Sequence, residues 1–284
     1  MFSFKLENER SNTVDINDGI NYVVLEASGL SPSSASLFHS KSPNRKGVKY
    51  NGSTVNERNI ILTIKILGDI EKNRNYLYDW IDTEQYVKVY YRNGTKNVYC
   101  EGHVEDCEIG LFTNNEIINL AIICEDPYWK DLNSISIDIS NLLKQFTFPF
   151  SITNPQPFSS LKENNTTNIF NYGTETGVKI IIKCNKDING LVVYNPTDTT
   201  KRFEINTSLL ANWVIEIDTD SSPKTVRAYK PDGTMENFLK YIGKNPTWFT
   251  LKRGNNILGF EVGEGSDVSD IEMSVNFTNK YSGV

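Results

Sequence analysis

The groups in this 284-residue chain that could do chemistry are four cysteines, two histidines and several adjacent acids. Cys100, His103 and Cys107 could in principle contribute to a zinc site, which needs about four well-spaced soft ligands. The chain has no Cys-x-x-Cys pair, and the second histidine, His39, is far away in sequence. The stretch around Cys100 reads as a strand pair in which Cys100 and Cys107 alternate with other apolar positions. The expected state of all four cysteines (Cys100, Cys107, Cys124, Cys184) is therefore a reduced thiol, mostly in a core. A Ser-His-Asp triad would have to rest on His39, in a polar loop, or on His103. No Gly-x-Ser-x-Gly, His-Glu-x-x-His or Walker pattern is present. Pairs such as Glu105/Asp106, Glu125/Asp126 and Asp218/Asp220 could serve glycoside hydrolysis only if a cleft set them on opposite sides of a bond. With 35 acidic residues, neighbouring pairs arise by chance. Asp218-Thr219-Asp220-Ser221 has the look of a calcium loop but lacks the glycine and terminal glutamate of an EF-hand, so it reads as a turn. Trp213, Trp248, Tyr229 and Tyr241 could stack on sugars if exposed, but tryptophans in strands are more often core residues. The expectation is no catalytic, cofactor-binding or metal-binding residue, no cofactor, and no enzyme.

The elements that would hold these groups come from a soluble, folded composition: 38% hydrophobic, 23% charged, with 14 Tyr, 14 Phe and 4 Trp. This length suits one large domain or two ordinary ones. A formal net charge of -6 argues against gripping phosphate backbones or anionic membranes, both of which call for clustered Lys and Arg. The first residues show no positive region followed by an apolar run, so no secretory signal is expected. The most apolar segment, Ile60–Leu67, is interrupted by Thr63 and Lys65 and is too short for a membrane span. The chain is therefore expected to fold in a cytosol, where disulfides are disfavoured.

Along the chain, the first strand assigned is Asn21–Glu26. Leu30–Lys49, rich in Ser, Pro, Lys and Gly, reads as a long polar loop of the partner-binding kind. Asn59–Leu67 alternates as a strand. Asp69 can cap a helix of about three turns through Ile70, Leu77, Trp80 and Ile81. Tyr86–Tyr91 and Val98–Ile109 read as strands joined at Asn93-Gly94, both tolerant of positive φ. Asn114-Asn115 makes a turn, and Glu116–Cys124 is a strand stopped by Pro127. Residues 132–170, with Pro149, Pro155 and Pro157, read as a linker. The remainder offers short strands separated by turns, among them Pro231-Asp232-Gly233, and a short helical piece over Glu236–Ile242. The predicted fold class is mostly β: an antiparallel barrel or sandwich with one helix over residues 1–131, then a β-sandwich over 171–284.

The order of these features resembles a phage tail family that includes the distal tail proteins of siphophages. The most specific element is the apolar strand Ile117–Ile123 running into Cys124-Glu125-Asp126-Pro127-Tyr128-Trp129, with Glu125 where many relatives carry proline. Phe249–Ile257 looks like the family's late aromatic-x-Leu-x-x-Gly-x-Asn turn, and Phe277–Val284 like its aromatic, basic, glycine-containing tail.

The resemblance implies a structural protein of the virion tail tip or baseplate, assembled in the host cytoplasm. Its first domain would form a ring, most often a hexamer, between the tail tube protein and the tail-tip hub. Its second would be a galectin-like or carbohydrate-module-like sandwich able to dock receptor-binding parts. Nucleic-acid binding and membrane insertion are not implied. A carbohydrate-binding adhesion module is the alternative. Six copies at -6 would carry about -36, and a negative bore would let DNA slide without sticking.

Overall fold

The computed structural model describes residues 2–43, 46–110, 116–139, 142–144, 159–161 and 165–284. The expected turn at Asn114-Asn115 and the prolines 149, 155 and 157 lie outside them. The chain divides into two compact units, Met1–Leu132 with Lys280–Val284, and Asn133–Asn279. Among the described residues, no helix is long and apolar enough to cross a membrane.

The first unit contains β1 (Ser3–Asn8), β2 (Thr13–Asp15), β3 (Tyr22–Ser28), β4 (Ala35–Ser40), β5 (Lys49–Val55), β6 (Arg58–Ile66), α1 (Ile70–Trp80), β7 (Tyr86–Arg92), β8 (Asn97–Ile109), β9 (Ile117–Cys124) and β10 (Trp129–Asp131). Its main sheet is antiparallel, in the order β2-β1-β7-β8-β9-β6-β3. Period-2 alternation builds its core: Ile60, Leu62 and Ile64 of β6 lie directly opposite Ile122, Leu120 and Ile118 of β9, and all six are 0% exposed. Fully burying one such side chain contributes roughly 1.5–3 kcal/mol. The Asp69 carboxylate accepts from the Lys72 N–H at 3.2 Å, capping α1, which buries Leu77 and Trp80. β8 pairs with β7 along one edge. Along its other edge it pairs with β9 through His103–Ile109 and with β10 through Val98 and Tyr99.

Three local expectations change. The first strand precedes Asn21: β1 inserts Phe4 and Leu6 into the core and pairs with both β2 and β7. The Leu30–Lys49 stretch is not simply a loop, because β4 and β5 pair as a hairpin. Asn93-Gly94 does not use positive φ. Instead the Asn93 side-chain oxygen accepts from the N–H groups of Thr95 and Lys96, at 2.9 and 2.8 Å, folding a slightly longer loop.

The second unit contains β11 (Ile135–Asp138), β12 (Leu142–Lys144), β13 (Ser159–Leu161), β14 (Thr166–Asn171), β15 (Thr176–Gly177), β16 (Lys179–Cys184), β17 (Ile188–Asn195), β18 (Asp198–Leu209), β19 (Val214–Asp218), β20 (Thr225–Tyr229), β21 (Met235–Asn237), β22 (Thr250–Leu251), β23 (Gly254–Val262) and β24 (Ile271–Phe277). Two antiparallel sheets, β11-β24-β16-β19-β20-β21 and β14-β23-β17-β18, share one core. Ile180, Ile182, Ile217 and Val275 come from the first, and Val193, Phe203, Ile205 and Phe260 from the second. This is a β-sandwich. Gly233 takes φ +82° in the expected turn, and the helical piece shortens to a 3-10 turn at Leu239–Tyr241.

The unit boundaries differ from 131/170/284. β11, placed in the linker by composition, pairs with β24. The final strand, β25 (Lys280–Tyr281), pairs with β10 and so belongs to the first unit, not to the sandwich.

Close backbone approach fixes one residue type in the main sheet. A Cβ at Gly102 would sit 2.3 Å from the Ile123 carbonyl oxygen, whereas one at Gly94 meets nothing within 4 Å. Gly102→Ala is expected to cost about 1–3 kcal/mol by overpacking. Gly94→Ala should stay within about 0.5 kcal/mol of wild type. Urea unfolding of the two variants checks this difference.

Candidate assembly site

The least ordinary group in the first unit is a buried cation without a carboxylate partner among the described residues. Arg58 opens β6 and is 1% exposed. Its Nε donates to the Pro127 carbonyl at 2.7 Å, and its Nη2 to the Ser282 carbonyl at 2.6 Å. Its Nη1 donates to the carbonyls of Ser31, at 2.7 Å, and Gly29. The guanidinium also lies 5.5 Å from the centroid of the fully buried Trp129 ring. Burial lowers the Arg58 pKa, but a guanidinium remains charged in proteins and presents five donors in a fixed fork. One side chain thus ties together the Gly29–Ser31 loop, the Asp-Pro-Tyr-Trp turn and the chain's last residues.

The turn itself is held by charge. Asp126 accepts Lys130 at 3.2 Å and Lys280 at 3.3 Å, and Lys130 reaches Glu101 at 2.9 Å. The Tyr86 hydroxyl donates to Glu101 at 2.7 Å, and that of Tyr90 to Glu7 at 2.8 Å. Burial works against ionisation of Asp126 and Glu101. The lysines, together with the Tyr128 N–H on Asp126 and the Tyr86 hydroxyl on Glu101, outweigh it and hold both carboxyls below their ordinary range. Burial and the Glu7 carboxylate push Tyr90 up to about 12. The Cys100 thiol donates to the carbonyls of Asp126 and Tyr128 at 3.6 and 3.7 Å. Contact with Cys100, and then burial, push the Cys124 thiol well up.

The returning end completes the arrangement. Tyr281 pairs with Trp129 across the β10–β25 ladder, and its hydroxyl donates to Asp131 at 2.9 Å. Lys96 lies 3.1 Å from the Tyr281 ring centroid. The Val284 N–H donates to the Leu30 carbonyl at 3.1 Å.

Next in sequence to these anchored residues, the β4–β5 hairpin is exposed over nearly its whole length. Leu37 and Tyr50 are each 62% exposed and Phe38 is 54% exposed. Among the described residues its strands pair only with each other, and β2 and β3 end the main sheet as open edges. Apolar side chains on such an arm, and unpaired strand edges, are features that accept a neighbouring chain.

The residues considered for chemistry do not converge. Cys100 faces the core, whereas His103, three positions along β8, is exposed. Among the described residues, no group of three metal-binding side chains forms. Cys100, Cys124 and Cys184 are buried, Cys107 is partly buried, and all four are free. His39 is exposed on the hairpin, and Glu105, Asp106 and Glu125 are exposed. Asp218 accepts from the N–H groups of Asp220 and Ser221 at 3.0 Å each, closing the expected turn, with Lys179 3.7 Å away. Trp213, Trp248 and Tyr241 pack against the sandwich core rather than forming an open platform.

No protein-family model and no curated protein matches the sequence. Solved structures do. The chain is similar to the SPP1 Dit (gp 19.1) protein, described as a paradigm of the hub adsorption apparatus in phages infecting Gram-positive bacteria. That match has a TM-score of 0.69 at 13% identity and covers 98% of this chain and 99% of the other. It is also similar to a chain of the phage P2 baseplate in its calcium-activated conformation, with a TM-score of 0.52 at 14% identity over the full length of both. The mostly β fold of this chain is thus shared over its whole length with a phage hub protein and a phage baseplate chain.

Two outcomes follow from the buried charges. Arg58→Met leaves several inward carbonyls unpaired and is expected to cost at least about 3 kcal/mol. The loss should appear in urea unfolding followed by Trp80 and Trp129 fluorescence in a Trp213→Phe/Trp248→Phe background. The same reporter should show a pH dependence. Because the folded pKa values of Asp126 and Glu101 lie below 3.8 and 4.5, their stabilisation is complete above those values. It is lost as pH falls through the folded values, and Lys130→Met should flatten this acid limb.

Proposed function

We propose that this chain is a structural ring component of a phage tail tip or baseplate, joining the tail tube protein to the tail-tip hub. The observation that carries the reading is the whole-length likeness to a hub protein, which spans both units and not one common module. The exposed β4–β5 hairpin and the open edges of β2 and β3 support it, because a closed ring needs two different complementary surfaces on each copy. The ring is a hexamer, and it assembles in the host cytoplasm before taking its place at the distal end of the virion tail. The sandwich, carbohydrate-module-like in architecture, docks receptor-binding parts. The role is structural, not enzymatic. The acidic balance suits a bore through which DNA passes without sticking.

Light scattering of the purified chain at several concentrations tests the ring. The expected mass is near six times 32.3 kDa. Replacing residues 36–54 by a short Gly-Ser turn should give a monomer that melts close to wild type, because none of the described residues among them is buried. A strict monomer of the intact chain at every concentration, or a ring that survives loss of the hairpin, counts against this reading.

A further inference from the structure

On the second unit, the outer face of the β14-β23-β17-β18 sheet carries an aromatic pair that no core contact explains. Phe170 and Tyr172 are 49% and 65% exposed. Two residues apart at the end of β14, their rings lie 4.6 Å apart between centroids and are tilted by 56°. The backbone that presents them is pinned. Asn171, between them, is 0% exposed and donates to the carbonyls of Thr174 and Leu251 at 2.7 and 2.9 Å. Its oxygen accepts from the Gly173 N–H at 2.8 Å, and the Tyr172 N–H donates to Asn279 at 3.2 Å. Beside the rings stand two exposed amides, Asn168 and, across from Phe170 on β23, Asn255. They meet each other only at 3.5 Å, the limit of a hydrogen bond, which leaves donors and acceptors free for a ligand. The arginine of the same sheet, Arg202, is already matched by Glu261 at 3.1 Å and Glu204 at 3.4 Å.

We propose that Phe170, Tyr172, Asn168 and Asn255 form a binding site for a neutral saccharide. Tilted rings make a corner and not a slot. A pyranose can lay its C–H face on one ring and set its edge against the other, with its hydroxyls paired to the amides. A nucleic acid is disfavoured, since the chain carries a formal net charge of -6. Rings fixed by a strand and an anchored turn lose little freedom on binding, which favours a small ligand. The site is distinct from Trp213, Trp248, Tyr229 and Tyr241, and it does not depend on ring assembly.

Saturation-transfer NMR on the full chain, with lactose, maltose, cellobiose and N,N′-diacetylchitobiose as probes, tests the proposal. At least one disaccharide is expected to receive saturation on its ring C–H protons. Phe170→Ala and Tyr172→Ala should each weaken that ligand about tenfold or more. Tyr172→Phe, which keeps the ring, should bind like wild type, and Asn255→Ala serves if an aromatic variant unfolds. Silence from all four probes overturns the proposal, as does transfer that persists in the Phe170→Ala/Tyr172→Ala double variant.

Discussion

A guanidinium inside a protein must have its donors met, and the first unit is organised around meeting those of Arg58. Pairing the charge with a carboxylate would bury two ions and desolvate both. Here the partners are backbone carbonyls, which carry no charge but must be brought to the fork from separate places. The positions of the Gly29–Ser31 loop, the Pro127 turn and the Ser282 carbonyl are therefore mutually dependent. Displacing any one of them strands part of the cation. This is why the Asp-Pro-Tyr-Trp segment does more than end a strand. Pro127 stops β9 and turns its carbonyl to Arg58, Asp126 takes two lysines, and Trp129 lies under the guanidinium.

Much of this architecture was legible because alternation is a local signal. Ile60, Leu62 and Ile64 declare an inward face, Asp69 a helix start, and Pro127 a strand end. The two-sheet second half could be read from its short strands and turns. β1 was missed although Phe4 and Leu6 alternate, since a short run at a chain end carries little periodic signal. The β4–β5 hairpin was missed for the opposite reason. Both its faces are exposed, so no apolar period marks it. The return of Lys280 and Tyr281 to β10 joins residues about 150 positions apart, and no local pattern announces such a pairing. Arg58 carries no local signal of its role, because burial of a cation depends on carbonyls far away in sequence.

The candidate sites followed the same division. Alternation sends residues three apart on a strand to opposite faces, and in the structure Cys100 is buried while His103 is exposed. Residue types could not tell which aromatics are exposed. Trp213 and Trp248 were weighed for sugar stacking and lie against the core, whereas Phe170 and Tyr172, beside the supposed linker, are open. Composition there suggested a tether, and the edge strand emerged only from its pairing with β23.

The course of the chain has a consequence for how such proteins diversify. The first unit releases the chain after β10 and takes it back at β25, and these two strands pair with each other. Within the second unit, Ile135 and Phe277, near its two ends, are likewise neighbours on a ladder. Adjacent strands are only about 5 Å apart. Recombination that exchanges residues 133–279 as a block therefore has to match a single pair of neighbouring chain ends. A new sandwich can be spliced into the same host domain while Arg58 and its carbonyls stay as they are.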